Sequence, residues 1–83
     1  METNAFGYRL IQAKRFEDAV EIFKLNVKDY PKSANVYDSL GEAYLLSGNR
    51  AKAVEYYEKA LKIDPNLQSA IDAIARLKHT KRP

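Results

Sequence analysis

Side chains that could do chemistry are few and scattered in this 83-residue chain. His79 is the only histidine, cysteine is absent, and no serine, histidine and acidic residue are grouped along the sequence. A metal site or an activated nucleophile needs several such groups in one place. We therefore expect His79 to be an ordinary residue at a helix end, and we expect no catalytic residue, no cofactor and no metal.

The carboxylates fall mostly on the polar sides of helical segments, and several have a lysine or arginine within one turn. Opposite charges three or four residues apart are common on helix surfaces. The three glycines stand singly, so the sequence has no glycine-rich phosphate loop. The carboxylates that predict such solvated helix faces are Glu17, Asp18, Glu21, Glu55 and Glu58.

The surplus of positive charge is confined to one end of the chain. The net charge of +3 equals the charge of Lys78, Lys81 and Arg82, and a basic end stabilises the dipole of a helix. Nucleic-acid binding needs exposed aromatic rings among cations, whereas we expect Tyr37, Tyr44 and Tyr57 in a core. Nucleic-acid binding through the basic C-terminal tail is therefore a remote alternative.

The sequence contains no run of about 20 apolar residues such as a membrane-spanning helix needs. Residues 1–4 have neither the basic start nor the apolar core of a signal peptide. We expect a cytoplasmic location, or the cell envelope if the chain is a fragment of an exported protein.

An internal repeat organises the sequence. Shifting the chain by 34 residues against itself aligns six identical pairs and several similar ones. Self-similarity at this period indicates stacked supersecondary units. The identical pairs are Gly7 and Gly41, Ala19 and Ala53, Val20 and Val54, Glu21 and Glu55, Lys28 and Lys62, and Pro31 and Pro65.

The apolar spacing within each unit is helical, and no segment shows sustained alternation. Gly48 and Asn49 predict a helix stop followed by a cap, Ser33 predicts another cap, and 64–66 predicts a stop and a cap for the last helix. The break at 14–15 lacks a glycine and rests on its alignment with 48–49. We therefore expect an all-α chain with five helices at about 3–13, 16–29, 34–47, 50–63 and 67–79.

The second unit resembles the tetratricopeptide repeat family at each signature position, which are Tyr37, Leu40, Gly41, Tyr44, Ala53, Tyr57, Ala60 and Pro65. The first unit matches at Phe6, Gly7, Leu10, Ala19, Phe23 and Pro31, and departs from the pattern at Thr3 and Asn26. The resemblance implies a right-handed superhelix of antiparallel helix pairs. It divides a single domain, 1–83, into repeat 1 (about 1–32), repeat 2 (about 33–66), a capping helix (about 67–79) and a basic tail (80–83).

Small residues at fixed positions of the repeat predict where helices come close. Gly41 with Ala53, and Gly7 with Ala19, remove side-chain bulk, so that larger neighbours can fill the adjoining space. Helices of about 12 residues are marginal on their own, so this packing must hold them.

The resemblance also implies that the first helices of successive repeats line a concave groove for a peptide or a partner helix. The competing interpretation is that these positions are only solvated sides of helices. Apolar Tyr8, Ile11, Leu45 and Leu46 favour a contact surface. The implied groove residues are Asn4, Tyr8, Ile11, Asn35, Asp38, Glu42, Leu45, Asp72 and Arg76.

Some members of the family bind the C-terminal carboxylate of a chaperone peptide with lysine and asparagine. The matching positions here are Asn4, Tyr8, Ser39, Ser69 and Ala73, so this cationic clamp is missing. Acidic side chains lie nearby in the implied groove. We therefore expect a protein or peptide partner that is neutral or basic and partly apolar.

Two repeats and a cap are short for a stacked architecture, in which about three units are usual. One hypothesis is a homodimer formed through the groove or through an apolar edge around Phe6 and Leu10. Another is a structural tail or oligomerisation module of a larger protein, because residues 25–31 and 33–44 are similar to repeat tails of some bacterial serine hydrolases.

Overall fold

A computed structural model of the chain describes residues 4–79, with the side chains of 5–78. Within that range it has five helices and no strand. The all-α class is confirmed, and each predicted helix end within the described residues lies within one residue of the observed one. The helices are α1 (Asn4–Gln12), α2 (Phe16–Asp29), α3 (Ala34–Leu46), α4 (Arg50–Ile63) and α5 (Gln68–His79).

Each helix packs against the next one along the chain, and α1 also meets α3. Turns of three or four residues join the helices, so neighbouring helices form hairpins. The buried side chains form two clusters, one shared by α1, α2 and α3 and one shared by α4 and α5. The first contains Leu10, Ala19, Val20, Phe23, Leu40 and Ala43, and the second contains Ala53, Tyr57, Ala60 and Ala70.

The expectation that Leu10 belongs to an exposed apolar edge is wrong. Leu10 is a member of the first buried cluster and is only 7% exposed. Phe6, one turn earlier on α1, is 51% exposed. The two residues lie one turn apart on α1, but only Leu10 is covered by the cluster. Phe6 alone of the two therefore contributes to an apolar edge.

An aromatic ring explains why each repeat has a glycine in its first helix. A Cβ atom added at Gly41 would lie 3.0 Å from the ring of Tyr57, and one added at Gly7 would lie 2.4 Å from the ring of Phe23. Both rings are buried, and Phe23 is fully enclosed. Because a packed ring cannot yield without opening a void, each glycine allows its helix to approach the ring of the next helix.

The observed helix ends can be compared with the caps predicted from the sequence. Gly48 has a φ of +95°, and the side chain of Asn49 accepts a hydrogen bond from the backbone N–H of Lys52 at 3.1 Å. Ser33 occupies the N-cap position of α3, although its side chain makes no capping hydrogen bond. The expected cap at Asn66 is wrong, because α5 begins at Gln68 and Leu67 precedes it. The backbone N–H of Asn66 instead donates to Asp64 Oδ1 at 3.0 Å.

Among the non-glycine residues that the structure describes, Lys14 alone has a left-handed backbone, with a φ of +62°. It lies 34 residues before Gly48, and both residues have a positive φ. The break at 14–15 therefore has the left-handed backbone of the break at 48–49, but it has a lysine where the later break has a glycine. Arg15 then occupies the N-cap position of α2 without a capping side-chain hydrogen bond, and its guanidinium pairs with Asp18 at 2.7 Å. The first inter-helix turn is therefore strained where the third is not.

We expect Lys14→Gly to stabilise the fold by about 1 kcal/mol, because glycine adopts the left-handed backbone without the penalty of a Cβ atom. Urea unfolding followed by circular dichroism measures the change. Gly48→Lys, at the equivalent position, is the matched variant and should lower the unfolding free energy. A Lys14→Gly protein less stable than the parent would contradict this account.

Candidate functional site

A groove of about 600 Å³ lies between α3 and α5, and we call it the α3–α5 groove. Residues from α4 complete its lining. The groove therefore joins the first helix of repeat 2 to the helix that follows that repeat. Its lining residues are Asp38, Glu42, Leu45 and Leu46 from α3, Arg50 and Tyr57 from α4, and Ser69, Asp72, Ala73, Arg76 and Leu77 from α5.

Two hydrogen bonds show how α3 and α5 are oriented across the groove. At one end, the Ser69 hydroxyl donates to Asp38 Oδ2 at 3.0 Å. At the other end, the Arg50 guanidinium, which follows α3 by one short turn, donates to the carbonyl of Leu77 at 3.3 Å. The early residues of both helices thus meet at one end, and the late residues at the other. The span from Asp38 to Leu46 is roughly 12 Å, at about 1.5 Å per helical residue.

Five of the nine sequence-predicted groove residues line this cavity, namely Asp38, Glu42, Leu45, Asp72 and Arg76. Asn35 is exposed on α3 but does not line it. Tyr8 and Ile11 are half-buried on α1 and pack against the first buried cluster. The side chain of Asn4 lies outside the described part of the chain. The structure therefore brings together five predicted residues of α3 and α5, and Tyr8 and Ile11 of α1 do not line this cavity.

Tyr8 links α1 to α3. Its hydroxyl donates to Glu42 Oε1 at 3.2 Å and lies 2.9 Å from Ser39 Oγ. Because a phenol has one proton, a hydroxyl that donates to Glu42 must accept from Ser39. The ring packs edge-on against Phe23 with the ring centres 5.2 Å apart, and burial raises the pKa of Tyr8. These contacts make Tyr8 a structural residue that also orients a groove carboxylate.

Asp38 lies at one end of the groove, where burial disfavours its charged form. Oδ2 accepts from Ser69, whereas Oδ1 is buried and has no hydrogen-bond partner among the described residues. Burial raises the pKa of Asp38, although the hydrogen bond from Ser69 opposes the shift. Burial, and then the negative charge of Asp38, also raises the pKa of Tyr57. The carboxylate therefore adds negative charge to the groove in a partly desolvated place.

Sequence reasoning missed Arg50 and Leu77 and assigned Tyr57 only to the core. Leu77 lies four residues after Ala73 on α5, so helical spacing could have placed it on the groove face. Tyr57 is 4% exposed and still lines the groove. Arg50 could not have been found by spacing, because it reaches the groove from the start of a different helix.

Three of the five positions that match the cationic clamp carry short, uncharged side chains, Ser39, Ser69 and Ala73. Ser39 bonds to Tyr8, Ser69 bonds to Asp38, and Ala73 contributes apolar surface. The groove cations are Arg50 and Arg76, which lie toward its other end. Among the described residues, no three or more His, Cys, Asp or Glu side chains are placed to hold a metal ion. The side chain of His79 and residues 80–83 lie outside the described part.

The raised pKa of Asp38 predicts a dependence of stability on pH. The folded state binds this proton more tightly than the unfolded chain does, so the resulting stabilisation is complete below the ordinary carboxyl pKa and is lost as pH rises through the folded-state pKa. Asp38→Asn keeps an acceptor for Ser69 and removes the charge. We expect its unfolding free energy, relative to the parent, to rise as pH increases above the ordinary carboxyl pKa and through the folded-state pKa of Asp38.

Urea unfolding at a series of pH values measures this difference. Asp72→Asn removes an exposed carboxyl from the same groove and is the control for net charge. A difference between Asp38→Asn and the parent that stays constant or falls with pH would show that Asp38 is not under this strain.

No helix within residues 4–79 is both long and apolar enough to cross a membrane. A family model described as tetratricopeptide repeat matches residues 13–66. This match covers both helices of repeat 2, helix α2 and the turns that join them. It agrees with the 34-residue register and with the glycine and aromatic pairs described above.

Three curated proteins are similar to this chain. Type IV pilus assembly protein PilF of Pseudomonas aeruginosa is 32% identical over 95% of the chain and 32% of its own length. Superkiller protein 3 of Schizosaccharomyces pombe is 32% identical over 75% of the chain and 4% of its own length. Photosystem I assembly protein Ycf3 of Cyanophora paradoxa is 29% identical over 83% of the chain and 39% of its own length.

The chain therefore spans well under half the length of each of these relatives. The family model describes a structural repeat, and no enzyme family is indicated. The repeat register, the packing of glycine against aromatic rings and the family match lead to one conclusion: the chain belongs to the tetratricopeptide repeat family.

Proposed function

We propose that this chain is a non-enzymatic interaction module that binds a protein or peptide in the α3–α5 groove. Membership in a family of interaction repeats supports a protein partner in general. The groove itself is the observation that carries the proposal, because it combines an open volume of about 600 Å³ with apolar and charged lining. Such a lining suits a short segment of another protein.

The lining supports a partner that is neutral or basic and partly apolar. The side chains of Leu45, Leu46, Tyr57, Ala73 and Leu77 offer apolar contact along the groove. Asp38, Glu42 and Asp72 offer negative charge, and the clamp that would hold a terminal carboxylate is missing. Charge complementarity of this kind selects partners and orients their approach.

Two of the similar proteins are named for assembly, one of a type IV pilus and one of photosystem I. A role in holding one component during the assembly of a larger complex is consistent with an interaction module. The cytoplasmic location remains a prediction from the sequence.

Nucleic-acid binding is the weaker alternative. The rings of Tyr37 and Tyr44 stack on Tyr56 with ring centres 6.4 Å and 5.5 Å away, and Lys59 lies 4.6 Å from the centre of Tyr56. These rings are engaged with one another, which leaves less surface for stacked bases. The rest of the basic tail, residues 80–83, lies outside the described part of the chain.

A charge reversal on α5 tests the groove. Asp72 is exposed, lines the groove and accepts a hydrogen bond from Gln68 at 2.9 Å. We expect Asp72→Lys to reduce capture of the partner by about tenfold, because a basic ligand would meet a cation in place of an anion. Quantitative pull-down from the source cell extract, with mass spectrometry, measures the capture.

Glu58→Lys is the matched control, because it changes the net charge equally at an exposed helical site outside the groove. The control should capture the partner as the parent does, and thermal melts should show that both variants fold. Equal losses of capture in the two variants would point to overall charge, and no loss in Asp72→Lys would move the binding site out of this groove.

The second candidate function is an oligomerisation module or a structural tail of a larger protein. Phe6 is 51% exposed, yet it aligns with Leu40, which is 1% exposed because α2 and the first cluster cover it. Ile71 of α5 is 37% exposed and aligns with Tyr37, which stacks on α4. At each of these two helices, an apolar side chain is thus exposed at a position whose equivalent in repeat 2 is covered by a neighbouring helix.

If Phe6 mediates self-association, the sedimentation coefficient should rise with protein concentration, and Phe6→Gln should abolish the rise because it removes the apolar contact. Leu25→Gln is the control, since Leu25 is a similarly exposed apolar residue on α2. A parent protein that sediments as a monomer at every concentration would exclude a homodimer through this edge.

A further inference from the structure

We propose that the α3–α5 groove recognises an extended peptide by the order of its charges, with a cationic side chain at the Asp38 end, an apolar side chain in the middle and an anionic side chain at the Arg76 end. This inference rests on the proposed function and specifies its ligand. It differs from a simple preference for basic partners, because one end of the groove favours an acid.

The charges of the groove are segregated along its length. Asp38 and Ser69 mark one end, and Glu42 and Asp72 follow within about one helical turn. Arg76 lies one turn beyond Asp72 on α5, and Arg50 meets Leu77 at the other end. The groove therefore changes from negative to positive along the common direction of α3 and α5.

Four of the charged groove side chains do not pair with one another. Asp38, Glu42, Asp72 and Arg76 form no ion pair with any described residue. The ion pairs between Arg15 and Asp18, Glu21 and Lys24, and Glu55 and Lys59 lie on other surfaces. Complementary charges on a ligand would therefore gain interactions without first breaking a pair in the protein.

The distance between the two ends fits a short extended segment. Side chains two and four residues apart in an extended chain point to the same side, and four residues span about 13 Å. The groove extends for roughly 12 Å from Asp38 to Leu46, at about 1.5 Å per helical residue. A cation and an anion four residues apart would reach opposite ends, and an apolar residue midway would lie over Tyr57 and Ala73.

The test uses four acetylated and amidated peptides, titrated into ¹⁵N-labelled protein at low ionic strength. The reference peptide is Gly-Lys-Ala-Leu-Ala-Glu-Gly, and the others replace its Lys by Gln, its Glu by Gln, or its Lys by Glu. We expect the reference to bind most tightly, each Gln peptide about fivefold more weakly and the doubly acidic peptide weaker still, since exposed charge pairs contribute on this scale. Amide shifts of Leu45 and Ala73 locate the binding.

Two neutralising variants assign each charge to its end. Asp72→Asn should weaken only peptides that contain Lys, and Arg76→Gln should weaken only peptides that contain Glu, because each variant removes one member of one pair. Glu58→Gln, outside the groove, should leave all four affinities unchanged. The spectrum of each variant also reports whether it is folded.

The titrations distinguish a wrong charge order from a lack of binding in the groove. If the doubly acidic peptide binds as tightly as the reference, or each variant weakens all peptides equally, the charge order is wrong while binding in the groove stands. If no peptide shifts the groove amides at millimolar concentration, this ligand class is excluded and the proposed peptide groove loses its support. Shifts confined to another surface would overturn both.

Discussion

The close approach of a glycine to an aromatic ring is the constraint on which the rest of the molecule depends. Gly41 lets α3 lie against the ring of Tyr57, and Gly7 does the same for α1 and Phe23. Each ring then packs among small buried residues of its own helix, such as Ala19 and Ala53. Tyr57 has a further role, because it contacts the cluster that holds α5 and also lines the groove. The interaction that closes a helix pair therefore also sets the position of the next helix.

Much of this could be predicted from the sequence, because the 34-residue register fixes helix ends and small residues together. The break at Lys14 shows the strength of the register, since the backbone there is left-handed without a glycine. The sequence could not show which of two apolar residues on one helix face is covered, because Leu10 is buried in the first cluster while Phe6, one turn away, is exposed. Tyr8 was assigned to the groove because the sequence could not reveal its hydrogen bonds to Ser39 and Glu42. Arg50 was missed because it lies on α4, and the sequence could not show that the start of α4 meets the end of α5.

At the acidic end of the groove, burial of Asp38 destabilises its charged form. A buried carboxylate oxygen without a hydrogen-bond partner lowers stability, and Oδ1 of Asp38 has no partner within residues 4–79. Nothing in the packing requires an acid there, since Ser69 needs only an acceptor. Glu42 is different, because the Tyr8 hydroxyl orients it from the neighbouring repeat. Perturbed carboxyl groups of this kind are concentrated at functional sites, and the proposed ligand of the groove would give Asp38 a role that the hydrogen bond from Ser69 does not require.

The groove exists only while α5 is docked, and α5 is attached at the two places where the groove ends. Ala70 is its fully buried residue, Ile74 and Leu77 are partly buried, and polar contacts join Ser69 to Asp38 and Leu77 to Arg50. A ligand bound across both ends would contact α3 and α5 together, so it would stabilise the docked helix by the free energy of its binding. In the proposed complex, α5 would thus form one wall of the groove and would itself be stabilised by the ligand.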